Sequence, residues 1–241
     1  MSRAAPAASG DDRSSKMEVF DRVELRRFVG RELLLWLWFE SEIFEATLRT
    51  KAHGSFGLWL EGRLALDAGK EATSIKGSMP GQHREAKEAL LRGKMPDRAA
   101  LHLSWADHDA TLTLDAETLA VAGLKLPRRE PDPSPDEGAP QAPRRPRRRR
   151  PETQAADATE LAAREASEEL FERMRVTREI EDILEALYRD FLALRLGPAW
   201  SELVVPALEA WSLGADVDAD AYGAARSRAL AAGAARGAGR K

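Results

Sequence analysis

Cysteine is absent from the 241 residues. Disulfide frameworks, thiolate metal sites and cysteine nucleophiles go with it. Histidine is scarce: His53, His83, His102 and His108 make the whole set of four. No H-E-x-x-H motif or i, i+4 histidine pair marks a zinc site, and His102 and His108, beside Asp107 and Asp109, read as a solvated hairpin tip. Long apolar runs are missing too. The longest, Leu33–Phe39, holds seven residues, whereas a membrane-crossing helix needs about 20. The first 16 residues contain no apolar leader segment, so a cytoplasmic location and no membrane partner are expected. Phosphate loops are also lacking. Gly69–Lys70 runs into Glu71, Leu64 stands where a Walker loop needs its first glycine, and the only G-x-G is Gly237–Gly239. No G-x-S-x-G elbow occurs. We therefore expect no catalytic residues, no metal, no cofactor and no enzyme. An enzyme with an unrecognised site is the least favoured alternative.

Charge is plentiful but unevenly placed. Residues 127–151 carry 8 Arg against 4 acids, net +4; residues 152–220 carry 6 Arg against 17 acids, net -11; residues 221–241 carry 5 basic residues and no acid. Residues 127–151 also hold 8 of the 13 prolines, a composition that can neither bury a core nor form regular ladders.

Periodicity divides the rest. Residues 1–17 read as a frayed arm and 18–126 as an α+β domain. Asp21 and Glu24 form a capping-box pattern opening a helix to about Glu42. Its run LLLWLWF is apolar on all sides, so Leu34, Leu35, Trp38 and Phe39 should pack on both a sheet and another helix. Glu40 and Glu42 follow as helix-end residues. Phe44, Ala46 and Leu48 alternate as a strand. Phe56, Leu58 and Leu60 alternate next, with a bulge or turn at Glu61–Arg63 before Leu64 and Leu66. Residues 71–77 give a short strand, and 82–92 a helix ended by Gly93. Leu101, Leu103 and Trp105 alternate, Asp107–Asp109 turns the chain, and Leu112 and Leu114 return. Residues 116–126 read as a helical turn and exit. Residues 127–156 form a disordered Pro/Arg linker. Residues 157–213 form a helical segment expected to pack on the α+β domain: a long helix with Leu170, Met174, Ile180, Leu184, Leu187, Phe191 and Leu194 on one stripe, then a shorter helix kinked or restarted at Pro206. Residues 214–241 read as a disordered basic tail. The fold class is thus α+β: an antiparallel sheet packed by an N-terminal Trp-rich helix and a short helix, plus a C-terminal long-helix hairpin.

Two features bear on function. The six tryptophans fall on apolar stripes and strands, so core packing accounts for them better than base stacking. The Arg tract is sharper. Arg144, Arg145, Arg147, Arg148, Arg149 and Arg150 place six guanidiniums within seven positions. Such a tract neutralises phosphates without reading sequence; its bland counterpart is a self-repelling spacer.

The segment Phe28–Glu42, FVGRELLLWLWFESE, resembles the "FLGREFLxWLWxxSE" signature of one branch of the recombination-associated protein RdgC family. LWLEGRLAL, IKG, REAKEALLRGK, LHLSW and TLTLDAETLAVAGLKLP follow in the family's order, then FLALRLGPAW and VVPALEAW. The resemblance covers roughly 20–127 and 168–213. It implies a divergent member without the family's usual front portion: a bacterial, nucleoid-associated α+β protein that is not an enzyme. Family members form a ring-shaped dimer around duplex DNA, bind without marked sequence preference and restrain RecA-driven strand exchange. DNA, a second copy and functional antagonism of RecA are the partners it implies, and no family DNA contact maps onto numbered positions here. The alternative is a protein–protein interaction or dimerisation module without DNA binding.

Overall fold

The computed structural model describes residues 29–69, 71–126 and 151–238. The chain forms two compact units: Met1–Lys125 with Ala186–Lys241, and Leu126–Glu185.

The first unit is α+β. A helix, α1 (29–43), precedes six antiparallel strands: β1 (Thr47–Thr50), β2 (Gly54–Asp67), β3 (Ala72–Gly77), β4 (Met95–Trp105), β5 (His108–Asp115) and β6 (Val121–Lys125). A short helix, α2 (Arg84–Leu91), links β3 to β4. The strand order is β1-β2-β4-β5-β6. β4 covers one edge of β2, while β1 and β3 follow one another along the other. The alternation sorts one face into the core: Phe56, Leu58, Leu60, Leu64 and Leu66 of β2, Leu101 and Leu103 of β4, Leu112 and Leu114 of β5 are all buried. Register stacks them, with Leu60 opposite Leu101 and Leu101 opposite Leu112. Glu61–Arg63 is a bulge, not a turn: pairing with β4 shifts between Leu60 and Leu64, and Gly62 takes φ 84°, a conformation that costs glycine little.

α1 is buried on more than one side, as an all-round apolar run requires. Leu34, Leu37, Trp38 and Phe39 are fully buried, while Leu35 is only half-buried. Gly30 lets the helix approach the backbone carbonyl of Ala116, where any Cβ would collide. Arg31 reaches Asp67 and Asp97 at 2.8 and 2.9 Å.

Several local readings of the sequence are corrected. Phe44–Ala46 is not strand. Glu45 and Ala46 adopt φ 48° and 63°, and Ala46 N–H donates to Ser41 O at 2.7 Å, so the residues close the helix C-terminus and β1 begins only at Thr47. Phe44 packs on Tyr222 instead, 6.0 Å between rings. The β4–β5 turn sits at Ala106–Asp107, with Ala106 at φ 47°, as a two-residue hairpin demands; His108 and Asp109 lie in β5. Residues 121–125 are an edge strand rather than a helical exit. Asp115 Oδ1 accepts from the Glu117 and Thr118 N–H groups, each at 3.1 Å, and turns the chain back on itself.

The rest of the first unit is helical. The last part of α3 (Pro151–Arg195), a π-helical turn (Trp200–Val204), α4 (Val205–Ser212) and α5 (Ala219–Ala238) complete it. Pro206 sits in the first turn of α4, where its missing N–H costs nothing. The segment read as a disordered tail is α5 over most of its length. Asp218 accepts from Ala221 N–H at 2.9 Å, capping an alanine-rich stretch of strong helix propensity, and Tyr222 and Arg226, one turn apart, are buried. The linker boundary also moves, because Pro151–Glu152 already belongs to α3; proline is compatible with the first helical position. Aromatic contacts tie these helices to α1: Trp36 to Phe191 at 5.8 Å, Trp38 to Trp211 at 5.1 Å and Phe39 to Tyr222 at 5.2 Å.

The second unit contains the N-terminal part of α3. Its arginines answer its own carboxylates, Arg175 to Glu172 at 2.6 Å and Arg178 to Asp182 at 3.5 Å. Leu170, Phe171 and Met174 are 59%, 69% and 60% exposed. No single helix among the described residues is long and apolar enough to cross a membrane.

Candidate functional site

The sequence-predicted site, Arg144–Arg150, lies outside the described residues, as does most of the linker reading. What the described residues bring together was not anticipated: two carboxylates of α1, each held by a different set of partners.

Glu40 closes the apolar run of α1, and its side chain is 0% exposed. Helical spacing points it away from the sheet toward α3 and α5. Tyr222 donates its hydroxyl to Glu40 Oε1 at 3.1 Å, and Arg226 Nε lies 2.8 Å from the same oxygen. Arg226 Nη2 is 3.8 Å from Asp190 Oδ2 of α3, an ion pair too long for a hydrogen bond. The guanidinium also lies over Trp36, 5.4 Å from the ring centre. Burial pushes the Glu40 carboxyl up to about 7, against the opposing pull of Arg226 and the Tyr222 hydroxyl and with a further push from Asp190. Burial likewise raises Asp190, opposed by Arg226. Tyr222 is raised by burial and then by Glu40, and stays neutral.

Glu42, one helical step on, is satisfied differently. Trp38 Nε1 donates to Oε1 at 2.6 Å, Trp211 Nε1 donates to Oε2 at 2.8 Å, and Lys87 Nζ of α2 lies 2.8 Å from Oε2. Lys87 stands over the Trp211 ring at 4.3 Å. Glu40 and Glu42 do lie in the last turn of α1, but they have the partners the sequence did not show: they are the polar anchors of α1 to α2, α4 and α5. A tyrosine and an arginine four positions apart, and a carboxylate embedded in WLWFESE, were the available signals. A helix buried on all sides cannot leave a carboxylate without donors.

The histidines do not gather into one site. His102, on the open face of the sheet, stacks on Trp59 at 4.0 Å and 14° between planes. Its Nδ1 lies 3.0 Å from Glu61 and its Nε2 3.2 Å from Asp109. Trp59 Nε1 donates to that same Glu61 at 3.1 Å. The His102 hydrogen bond holds Asp109 below the usual carboxylate range. His108 faces Trp105 instead, 5.5 Å between rings. Among the described residues no three His, Asp or Glu side chains are placed to hold a metal ion. Trp36, Trp38, Trp200 and Trp211 are core residues. Of the arginines first assigned to a basic tail, Arg226 is committed to Glu40 and offers nothing to an external anion.

Chemically, the α1 cluster can hold or release a proton, and among the described residues the Glu40 side chain is closed to solvent. The open sheet face mixes Arg63, Arg98 and His102 with Glu61, Asp109 and Asp115, and Arg98 is already paired with Asp115 at 2.7 Å. No family model, no curated protein and no solved structure matches this chain.

Proposed function

We propose that this chain is a non-enzymatic protein that holds DNA weakly and without sequence preference, acting at the nucleoid in the manner of the RdgC family to restrain RecA-dependent strand exchange. The observation that carries the reading is the tract Arg144–Arg150, six guanidiniums in seven positions. The acidic stretch 152–220, at net -11, repels phosphate, so attraction falls to the arginine-rich segment.

A gel-shift salt titration on duplex DNA, with the full chain beside a variant lacking 128–151, tests it. Neutralising six phosphates gives a slope of roughly -5 in log K against log salt, so affinity falls on the order of a thousandfold between 50 and 200 mM. A flat isotherm, or binding that survives neutralising all six arginines, refutes the mechanism.

A second reading is an interaction or dimerisation module without DNA binding. Exposed Leu170, Phe171 and Met174 on one stretch of α3 favour it, because large apolar side chains grouped in solvent mark contact surfaces. No DNA retardation at low salt, together with a concentration-dependent dimer by sedimentation, selects this reading over the first.

A further inference from the structure

Glu40, Asp190 and Arg226 come from α1, α3 and α5, and they are two carboxylates around one guanidinium. With all three ionised, the cluster carries one uncompensated negative charge. It does so where water reaches only one member: the side chains of Arg226 and Glu40 are 8% and 0% exposed and that of Asp190 is 23% exposed. A buried charge without a partner is strongly unfavourable, and one proton removes it. Glu40 has room for that proton. Its Oε1 accepts from the Tyr222 hydroxyl and lies 2.8 Å from Arg226 Nε as an ion pair, whereas Oε2 has no hydrogen-bond partner among the described residues. A proton on Oε2 leaves the Tyr222 and Arg226 contacts to Oε1 in place, opposes the pull of the nearby Trp36 indole, and leaves Arg226 facing Asp190. When α5 lifts away, Glu40 and Asp190 return to water and the excess charge needs no proton.

We propose that α5 is a proton-held latch: its docking over Glu40 takes up one proton, so the helix is closed in mild acid and loosens as the pH rises to neutrality. The direction follows from linkage, because a state that binds an extra proton is favoured by falling pH. The charged or titratable groups that act on Glu40 are Arg226 and Tyr222 from α5 and Asp190 from α3. Tyr222 is pushed up by burial and stays neutral over this range, which leaves the two carboxylates to titrate. Burial acts upward on both. Opening uncovers Phe39, which Tyr222 caps edge-on at 5.2 Å, so release of the latch exposes an aromatic surface of α1.

Amide hydrogen exchange of the full chain, followed by mass spectrometry between pH 5.5 and 8 and corrected for intrinsic rates, reads the latch directly. Protection across 219–238 should fall roughly tenfold or more over that interval. Glu40→Gln fixes the neutral form, and Asp190→Asn removes the surplus carboxylate; each should flatten the profile. A wild-type profile that is already flat overturns the proposal without any variant. If Glu40→Gln does not fold, Asp190→Asn, at a partly exposed position, carries the comparison, and a slope in it equal to wild type also overturns the proposal.

Discussion

Replacing Arg226 by methionine keeps most of the side-chain volume over Trp36 but deletes the cation beside Glu40. The cost should depend on pH in a way that lost packing cannot imitate. Glu40 lies above its ordinary range when folded, at about 7, with burial acting upward and Arg226 the largest opposing influence. For a carboxylate raised by folding, stability declines as pH rises from the unfolded value through the folded one. Without Arg226 the folded value climbs further, so the decline continues above neutrality. At pH 8 the variant must keep either a buried, unpaired carboxylate or a proton held against a rising gradient, and breaking a buried pair from one side costs about 3–5 kcal/mol. At pH 5.5 Glu40 is protonated in both proteins, and the difference should shrink to about 1–2 kcal/mol, the scale of a lost cation–π contact and imperfect packing. Urea denaturation at both pH values measures the two differences. The Glu40→Gln/Arg226→Met double variant should recover most of the loss at pH 8, since neutral, well-packed replacements of a buried pair are often tolerated. An Arg226→Met penalty of equal size at both pH values, with no recovery in the double variant, would refute the reasoning.

Other expectations follow from single contacts. Gly30→Ala places a methyl against the Ala116 carbonyl; the backbone must shift, and the loss should be about 1–3 kcal/mol by urea titration. Trp211→Phe removes one of the two indole donors to Glu42 while leaving an aromatic ring against Trp38 and Phe39, and should cost about 1–2 kcal/mol. His102→Ala should move the Asp109 titration midpoint upward in carboxyl NMR, since the His102 hydrogen bond is what lowers it; an unmoved midpoint excludes that bond. Phe171→Glu alters a side chain that is 69% exposed and should change unfolding free energy by less than about 0.5 kcal/mol, while removing self-association if the second functional reading holds.

Much of the sheet was legible because burial on one face imposes a period of two. Leu58, Leu60, Leu101, Leu103, Leu112 and Leu114 could be assigned to the core from spacing alone, and Gly62 marked the bulge. Helix ends were harder. Glu45, Ala46 and Ala106 enter left-handed backbone without being glycine, so no residue type announced the stop of α1 or the exact hairpin turn. α5 was misread because a segment rich in alanine, glycine and arginine has the composition of a loose tail. Its order comes from Tyr222 and Arg226 finding α1, a tertiary event that local propensity does not encode. For the same reason the partners of Glu40 were invisible: the Tyr222 contact spans 182 positions. The Arg144–Arg150 tract is the opposite case, a reading that rests on composition alone.

That separation along the chain has a consequence for biosynthesis. α1 leaves the ribosome long before Tyr222 and Arg226 have been translated, and until they arrive Glu40 and Phe39 face water or whatever binds them first. A product that stops short of α5 keeps all six described strands of the sheet yet lacks the cover for Glu40 in its first helix. Nascent chains of this protein therefore carry a sticky, acidic-centred aromatic strip that is concealed only once α5 has been made.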